Sequence, residues 1–242
     1  MITIALAPAA LPPDQRIYAV GDVHGCADRL DLMHGAIAED LAARPVAHAL
    51  LIHLGDLIDR GPDSAGVIER LLRPFPAVPG GPAPHVVNLI GNHEDMFLTA
   101  LESGDRRAVE LWLANGGGET LASWGVSWRA GPAGWLAAIP PAHLGFLRAL
   151  ALIYRAGGYA FVHAGLRPGV ALEAQRRDDL LWIREPFLSF AGALPAVVVH
   201  GHTPEDVPAI LPHRIGVDTG AVLGGALTCA VLEADGVGFL QT

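Results

Sequence analysis

Cysteine is scarce. Only Cys26 and Cys229 occur in the 242 residues, so a dense disulfide framework is excluded and a reducing, cytoplasmic setting is expected, with a bond between these two left open. Charge is scarce as well. Charged residues make up 17% of the chain, and 25 acidic against 16 basic side chains give a formal net charge of −9. That balance argues against general nucleic-acid binding, which needs a basic face. It does not exclude a phosphorylated substrate, because divalent metal held by an acidic cluster inverts the local sign. No apolar run approaches the ~20 residues of a membrane span. The N-terminal MITIALAPAALPPDQR has no Lys or Arg ahead of its apolar patch, and Pro8, Pro12 and Pro13 break it. It is expected to form a leading strand or arm rather than an export signal.

What is plentiful is apolar material, 51% of residues, enough for one large α/β domain over 1–242 with a sizeable core. Leu50, Leu51, Ile52 and Leu54 read as a short buried strand that ends abruptly in Gly55, Asp56, Asp59 and Arg60. Two carboxylates and a guanidinium beside a buried strand are costly unless a cation and an anion pair them. The same form precedes and follows it. Ile17–Val20 runs into Gly21-Asp22-Val23-His24-Gly25, and a helical face at Leu30, Met33, Ile37 and Leu41 comes next. Val86–Ile90 runs into Gly91-Asn92-His93-Glu94 and a helix through Met96, Phe97, Ala100 and Leu101. Three units of strand, polar turn and helix predict βαβ connections and a largely parallel sheet. Between them, Ser64 is the expected cap of a helix through Val67, Ile68, Leu71 and Leu72, and 74–84 is a Pro/Gly loop.

Residues from about 105 to 150 differ. They are rich in Trp, Ala and Leu and read as a helical insert, its tryptophans taken first as packing residues. The second half returns to strands at 151–154, 159–162, 196–199, 215–217 and 227–232, with Gly157-Gly158 as a hairpin turn. Partial antiparallel pairing is expected there. Two of these strands again end in polar turns, His163-Ala164-Gly165 and His200-Gly201-His202-Thr203. Side by side, the five turns would bring Asp22, His24, Asp56, Asn92, His163 and His202 to one edge. Mixed N/O donors of this kind suit Mn, Fe or Zn better than Ca or Mg. Six protein ligands are too many for one ion with an open position and fit two ions sharing a carboxylate. Each motif alone is weak, since a Gly-Asp turn after a strand is usually a helix cap. The joint pattern carries the argument. His34, His48, His53, His85, His143 and His213 stand outside it and are expected to be ordinary core or surface groups.

GDVHG (21–25), GDLIDRG (55–61), GNHE (91–94), HAG (163–165) and HGHT (200–203) resemble the calcineurin-like metallophosphoesterases. GDLIDRG with GNHE resembles the phosphoprotein phosphatase branch in its bacterial and phage form. The resemblance implies a four-layer αββα fold, a β-sandwich of mixed sheets flanked by helices. It implies that Asp22 and His24 bind one metal, that Asn92, His163 and His202 bind a second, and that Asp56 bridges them, Mn2+ being the expected ion. It further implies hydrolysis of phosphate esters by direct attack of a metal-bridging hydroxide. His93 would be the general acid oriented by Asp59, and Arg60 the grip on phosphate oxygens. The second arginine motif of the branch is absent in its familiar form. Arg184 is the candidate for that contact, the alternative being a surface ion pair with Glu185 or Asp179. His202 is assigned to metal, with His200 behind it or on the substrate side, and Asp218 to a turn. The expected substrate is a phosphorylated protein. The same chemistry on a symmetrical dinucleoside polyphosphate is the main alternative. A phosphodiesterase and a non-catalytic scaffold are weaker ones.

Overall fold

Alternation of apolar side chains along the first strands decides the layering. The computed structural model describes residues 3–79 and 81–242. One sheet holds β1 (Ala5–Leu6), β2 (Gln15–Val20), β3 (His48–His53), β4 (His85–Asn88), β10 (Thr228–Glu233) and β11 (Gly236–Gln241) in the order β1-β11-β10-β2-β3-β4. The other holds β5 (Ile153–Ala156), β6 (Tyr159–Val162), β7 (Val197–His200), β8 (Ala209–Leu211) and β9 (Arg214–Gly216) in the order β5-β6-β7-β9-β8. On β2 and β3, Ile17, Ala19, Leu50 and Ile52 face the second sheet and meet Phe161, Val199 and Ile215, while Tyr18, Val20 and Leu51 face helices. A period of two puts successive side chains on opposite faces, so both faces of these strands are buried, as in parallel sheets.

The helices over the first sheet are α1 (Ala27–Ala43), α2 (Ser64–Leu72), α3 (Asn92–Ser103), α4 (Arg106–Trp112), α5 (Gly118–Ser123), α6 (Gly131–Ala138) and α7 (Pro141–Arg148). The second sheet is covered on its outer face by α8 (Arg177–Trp182) and the loops around it, through Leu166, Leu172, Leu180, Ile183 and Phe187. The four layers are those expected. So is the mixed pairing: β2, β3 and β4 are mutually parallel, as are β6, β7 and β9, with β10, β11, β5 and β8 antiparallel to their neighbours.

Two details differ from the sequence reading. Asp63, not Ser64, caps α2: its carboxylate accepts the Gly66 N–H at 2.8 Å. Ser64 is turned inward to the Asp59 backbone. Strands β8 and β11 have no counterpart in that reading. β11 carries two glycines, Gly236 and Gly238, in its first three residues, and its pattern becomes strand-like only once β10 pairs with it. No described helix is long and apolar enough to cross a membrane.

Candidate metal centre and phosphate site

The parallel strands deliver their exits to one rim. There the backbone is bent out of ordinary conformations. Among the described non-glycine residues with positive φ are His24 (44°), Asp56 (49°), Asp59 (72°), Arg60 (68°) and His202 (67°). Each such residue costs about 1–3 kcal/mol and persists only where its surroundings over-determine it. Glu94 supplies much of that. Its Oε2 accepts the N–H groups of Gly91 (2.7 Å) and Asp56 (2.9 Å), and its Oε1 those of Leu57 (2.8 Å) and Ile58 (3.1 Å). The side chain is fully buried at the start of α3 and staples the GNHE turn to the GDLID turn. Burial, reinforced by the Asp56 charge, pushes its carboxyl up to about 7 against the pull of these donors. The sequence reading used Glu94 only to choose a branch and missed this role.

The expected metal ligands converge. Two histidines have one ring nitrogen facing a backbone carbonyl at 2.9 Å: His24 Nδ1 faces Ile58 O and His163 Nδ1 faces Leu54 O. Donation there assigns the tautomer and leaves each Nε2 lone pair facing inward. His24 Nε2 lies 3.5 Å from Asp56 Oδ2, and His163 Nε2 lies 3.4 Å from Asp56 Oδ1. Asn92 Oδ1 is 2.8 Å from His163 Nε2 and 2.9 Å from His202 Nδ1. Asp56 therefore stands between two donor sets: His24, Asp56 and His93 on one side, and Asp56, His163 and His202 on the other, the donor atoms of each within 4.8 Å of one another.

Asp22 reaches the same rim, with its carboxylate accepting the His202 N–H at 3.1 and 3.2 Å. A Cβ on Gly201 would run into that carboxylate, so only glycine lets the HGHT turn approach. Burial, and then the charges of Asp218 and Asp56, raise the Asp22 carboxyl well above its ordinary range. Acceptors thus face acceptors across most of the rim. Donors about 3 Å apart are what one ion collects with bonds of about 2.0–2.2 Å, and positive charge relieves the crowding. The residues present fit a dinuclear centre.

Beside the expected ligands, His93 Nδ1 lies 2.7 Å from Asp59 Oδ2, while its Nε2 is buried with no hydrogen-bond partner among the described residues, 3.9 Å from Asp56 Oδ2. Burial works to lower the His93 pKa, but Asp56 and Asp59 outweigh it and hold the imidazole above its ordinary value. Arg60 is exposed at the rim, its Nη1 3.0 Å from His24 Nε2. Arg184 is exposed and near enough to His202 to help lower that ring's pKa, although burial is the larger cause. The surface ion pair weighed for Arg184 does not form among the described residues. Asp179 is taken by Arg167, and Glu185 accepts from Ser189. His200 is not on the substrate side. It is buried against Phe187, with ring centroids 5.1 Å apart, and its Nδ1 faces its neighbour's carbonyl, Gly201 O. Asp218 serves a turn, as expected, accepting the Gly220 N–H at 2.9 Å.

A four-layer sandwich with an acidic, imidazole-lined rim, an adjacent buried His–Asp pair and arginines at the edge belongs to metal-dependent hydrolases of phosphate esters. The chain is a member of the calcineurin-like phosphoesterase family, whose model matches residues 15–237. It is 30% identical over 235 residues to "Serine/threonine-protein phosphatase 1" of Salmonella typhimurium, covering 90% of this chain and 93% of that one. It is 29% identical over 185 residues to "Bis(5'-nucleosyl)-tetraphosphatase, symmetrical" of Methylococcus capsulatus, covering 76% of this chain but only 51% of that one. Among solved structures, one provisionally described as a diadenosine tetraphosphatase superposes with a TM-score of 0.66 at 24% identity, over 96% of this chain and 98% of its own. A cold-active protein-tyrosine phosphatase of a Shewanella species superposes at 0.56 with 17% identity, over 93% and 78%. At these identities the solved structures speak for the fold.

Proposed function

We propose that the protein is a dinuclear metal-dependent phosphomonoesterase acting on phosphoserine or phosphothreonine in proteins, in the cytoplasm, with 1–242 as one domain. Asp22 and His24 hold one ion, Asn92, His163 and His202 the other, and Asp56 both, with Mn2+ the preferred metal. Bound there, two dications supply an activated water and neutralise the charge of the transferring phosphoryl group. The chain's own residues do the rest. Arg60 and Arg184 orient phosphate oxygens. Both contacts are necessarily arginine, because the chain contains no lysine, and the planar fork suits bidentate contact with phosphate.

The observation that carries this reading is the buried, unpartnered Nε2 of His93, backed by Asp59 on the far side of the ring. It is a proton donor aimed at a leaving oxygen. A serine or threonine alkoxide needs such a proton, whereas a nucleotide leaving group is a phosphate and departs without one. The near full-length match to a serine/threonine phosphatase supports the same choice.

The dinucleoside polyphosphate reading keeps one observation in its favour. Trp182 is exposed beside His202, with ring centroids 6.2 Å apart, and offers a flat face on which a base can stack. Turnover of a phosphoserine peptide and of diadenosine tetraphosphate by the Mn2+-loaded enzyme separates the two. The peptide is expected to be cleaved and the nucleotide not, and cleavage of the nucleotide alone overturns the proposal. Chelation should abolish hydrolysis of p-nitrophenyl phosphate, and added Mn2+ should restore it. Activity that survives exhaustive chelation removes the metal from the reading.

A further inference from the structure

The helical segment after α3 does more than pack. Trp112, at the end of α4, and Thr120, in α5, are both fully buried, and both reach Asp59. Trp112 Nε1–H donates to Asp59 Oδ2 at 2.9 Å and Oδ1 at 3.1 Å. Thr120 Oγ1–H donates to Asp59 Oδ1 at 2.6 Å. The same hydroxyl oxygen accepts the Asp59 N–H at 2.8 Å, and Ser64 Oγ lies 3.0 Å away with its own proton free to donate to it. Asp59 is thus enclosed by three side-chain donors: the indole, the hydroxyl and the His93 imidazole. An indole can only donate, so Trp112 holds both Asp59 oxygens as acceptors. The carboxylate plane, and with it the line from Asp59 through His93, is set from the helical segment.

Between Trp112 and Thr120 the helix opens into a π-type turn at Leu113–Gly117. Its Gly116, at φ 100°, accepts the Arg60 N–H at 3.3 Å, and a Cβ there would come within 2.6 Å of Arg60 N. One nine-residue stretch, Trp112 to Thr120, therefore grips two successive left-handed residues, Asp59 and Arg60. Helical irregularities of this kind gather at functional sites.

We propose that Trp112 and Thr120 are positioning residues that act through Asp59 to aim His93 at the leaving group, and that 105–150 carries them as part of the reaction machinery. This rests on the reading of His93 as the general acid. Packing alone predicts otherwise. Trp112 also lies against Phe97 and Trp135, with centroids 4.8 and 5.3 Å away, and a purely structural role would affect every substrate alike.

The test is steady-state kinetics of the Mn2+-loaded full chain on a phosphoserine peptide, whose alkoxide needs a proton, and on 2,4-dinitrophenyl phosphate, whose phenolate does not. Trp112→Phe and Thr120→Val are expected to lower kcat on the peptide about ten- to hundredfold, part of the about 10²–10⁴-fold that a general acid contributes. KM and the metal content should stay near those of the parent, and the dinitrophenyl ester should lose little. Thr120→Ser, which keeps the hydroxyl, should restore peptide turnover. In a His93→Asn background, Thr120→Val should cost nothing further, because groups that act as a unit are not additive. Equal losses on both substrates, no loss on either, or full additivity with His93→Asn overturns the proposal. Should Trp112→Phe not fold, Thr120→Val and Thr120→Ser carry the comparison. If His93→Asn itself slows both substrates equally, the general-acid reading is what fails. If His93→Asn discriminates between them and the two variants do not, that reading stands and only the positioning role is lost.

Discussion

Asp56→Asn is expected to abolish hydrolysis and to leave the chain unable to hold two ions. Asp56 places one oxygen 3.5 Å from His24 Nε2 and the other 3.4 Å from His163 Nε2, so each oxygen belongs to a different donor set. An amide keeps one of those oxygens and turns an NH2 toward the other set, adding a donor where a cation should sit. Losing even a group behind a metal ligand costs about 10–100-fold, and a shared ligand should cost more than about a hundredfold in kcat. Elemental analysis after dialysis against Mn2+ should fall from two ions per chain to one or fewer. Retention of two ions with unchanged kcat would show that Asp56 is not shared. The fold should survive, because the His93 N–H that Asp56 Oδ1 accepts at 3.0 Å can still be met by the amide oxygen.

Glu94→Ala is expected to damage the fold itself. Its two carboxylate oxygens accept four backbone N–H groups, all buried. A buried donor left without a partner costs about 1–3 kcal/mol. Four of them approach the entire stability of an ordinary domain, about 5–15 kcal/mol. Thermal or urea unfolding should show a folded state strongly destabilised, or no folded chain recovered at all. Glu94→Gln should fall between the two, because one oxygen still takes two N–H groups while the amide NH2 faces the other pair. A Glu94→Ala protein with the parent's unfolding midpoint would mean that the four donors find other partners and that Glu94 is not the staple. Metal should offset part of the loss, since a ligand that binds only the folded chain stabilises it.

These two residues mark what could be read along the chain and what could not. Asp56 was legible because its meaning is local and repeated. An apolar strand that breaks into Gly-Asp is visible within a few residues, and four further strands break in the same manner. The expected ligands Asp22, His24, Asn92, His163 and His202 all reach the rim for this reason. Glu94 was visible as a letter in GNHE, but its four partners lie on backbone that carries no sequence signal. Trp112 and Thr120 lie 53 and 61 residues from Asp59, with nothing in the sequence to mark the contact. His200 sits two residues from the expected ligand His202, and its letter leaves open whether it lies behind the rim or on the substrate side; β7 ends by turning it into the layer beneath, against Phe187. Ser64 reads as a cap because serine caps helices, and loses that place because Asp63 is adjacent and Asp59 needs the hydroxyl.

The sequence by itself determined the strand exits, their order, the chemistry of the donors and the family that combines them. Such features are set by local backbone preference and by the period of apolar residues, and both are written within short windows. Only the tertiary structure decided which face each donor presents, which carboxylate holds backbone and which stands open to a cation, and that the segment after α3 encloses Asp59. Those outcomes depend on desolvation and on hydrogen bonds between groups distant along the chain, and their partners exist only once the layers have packed.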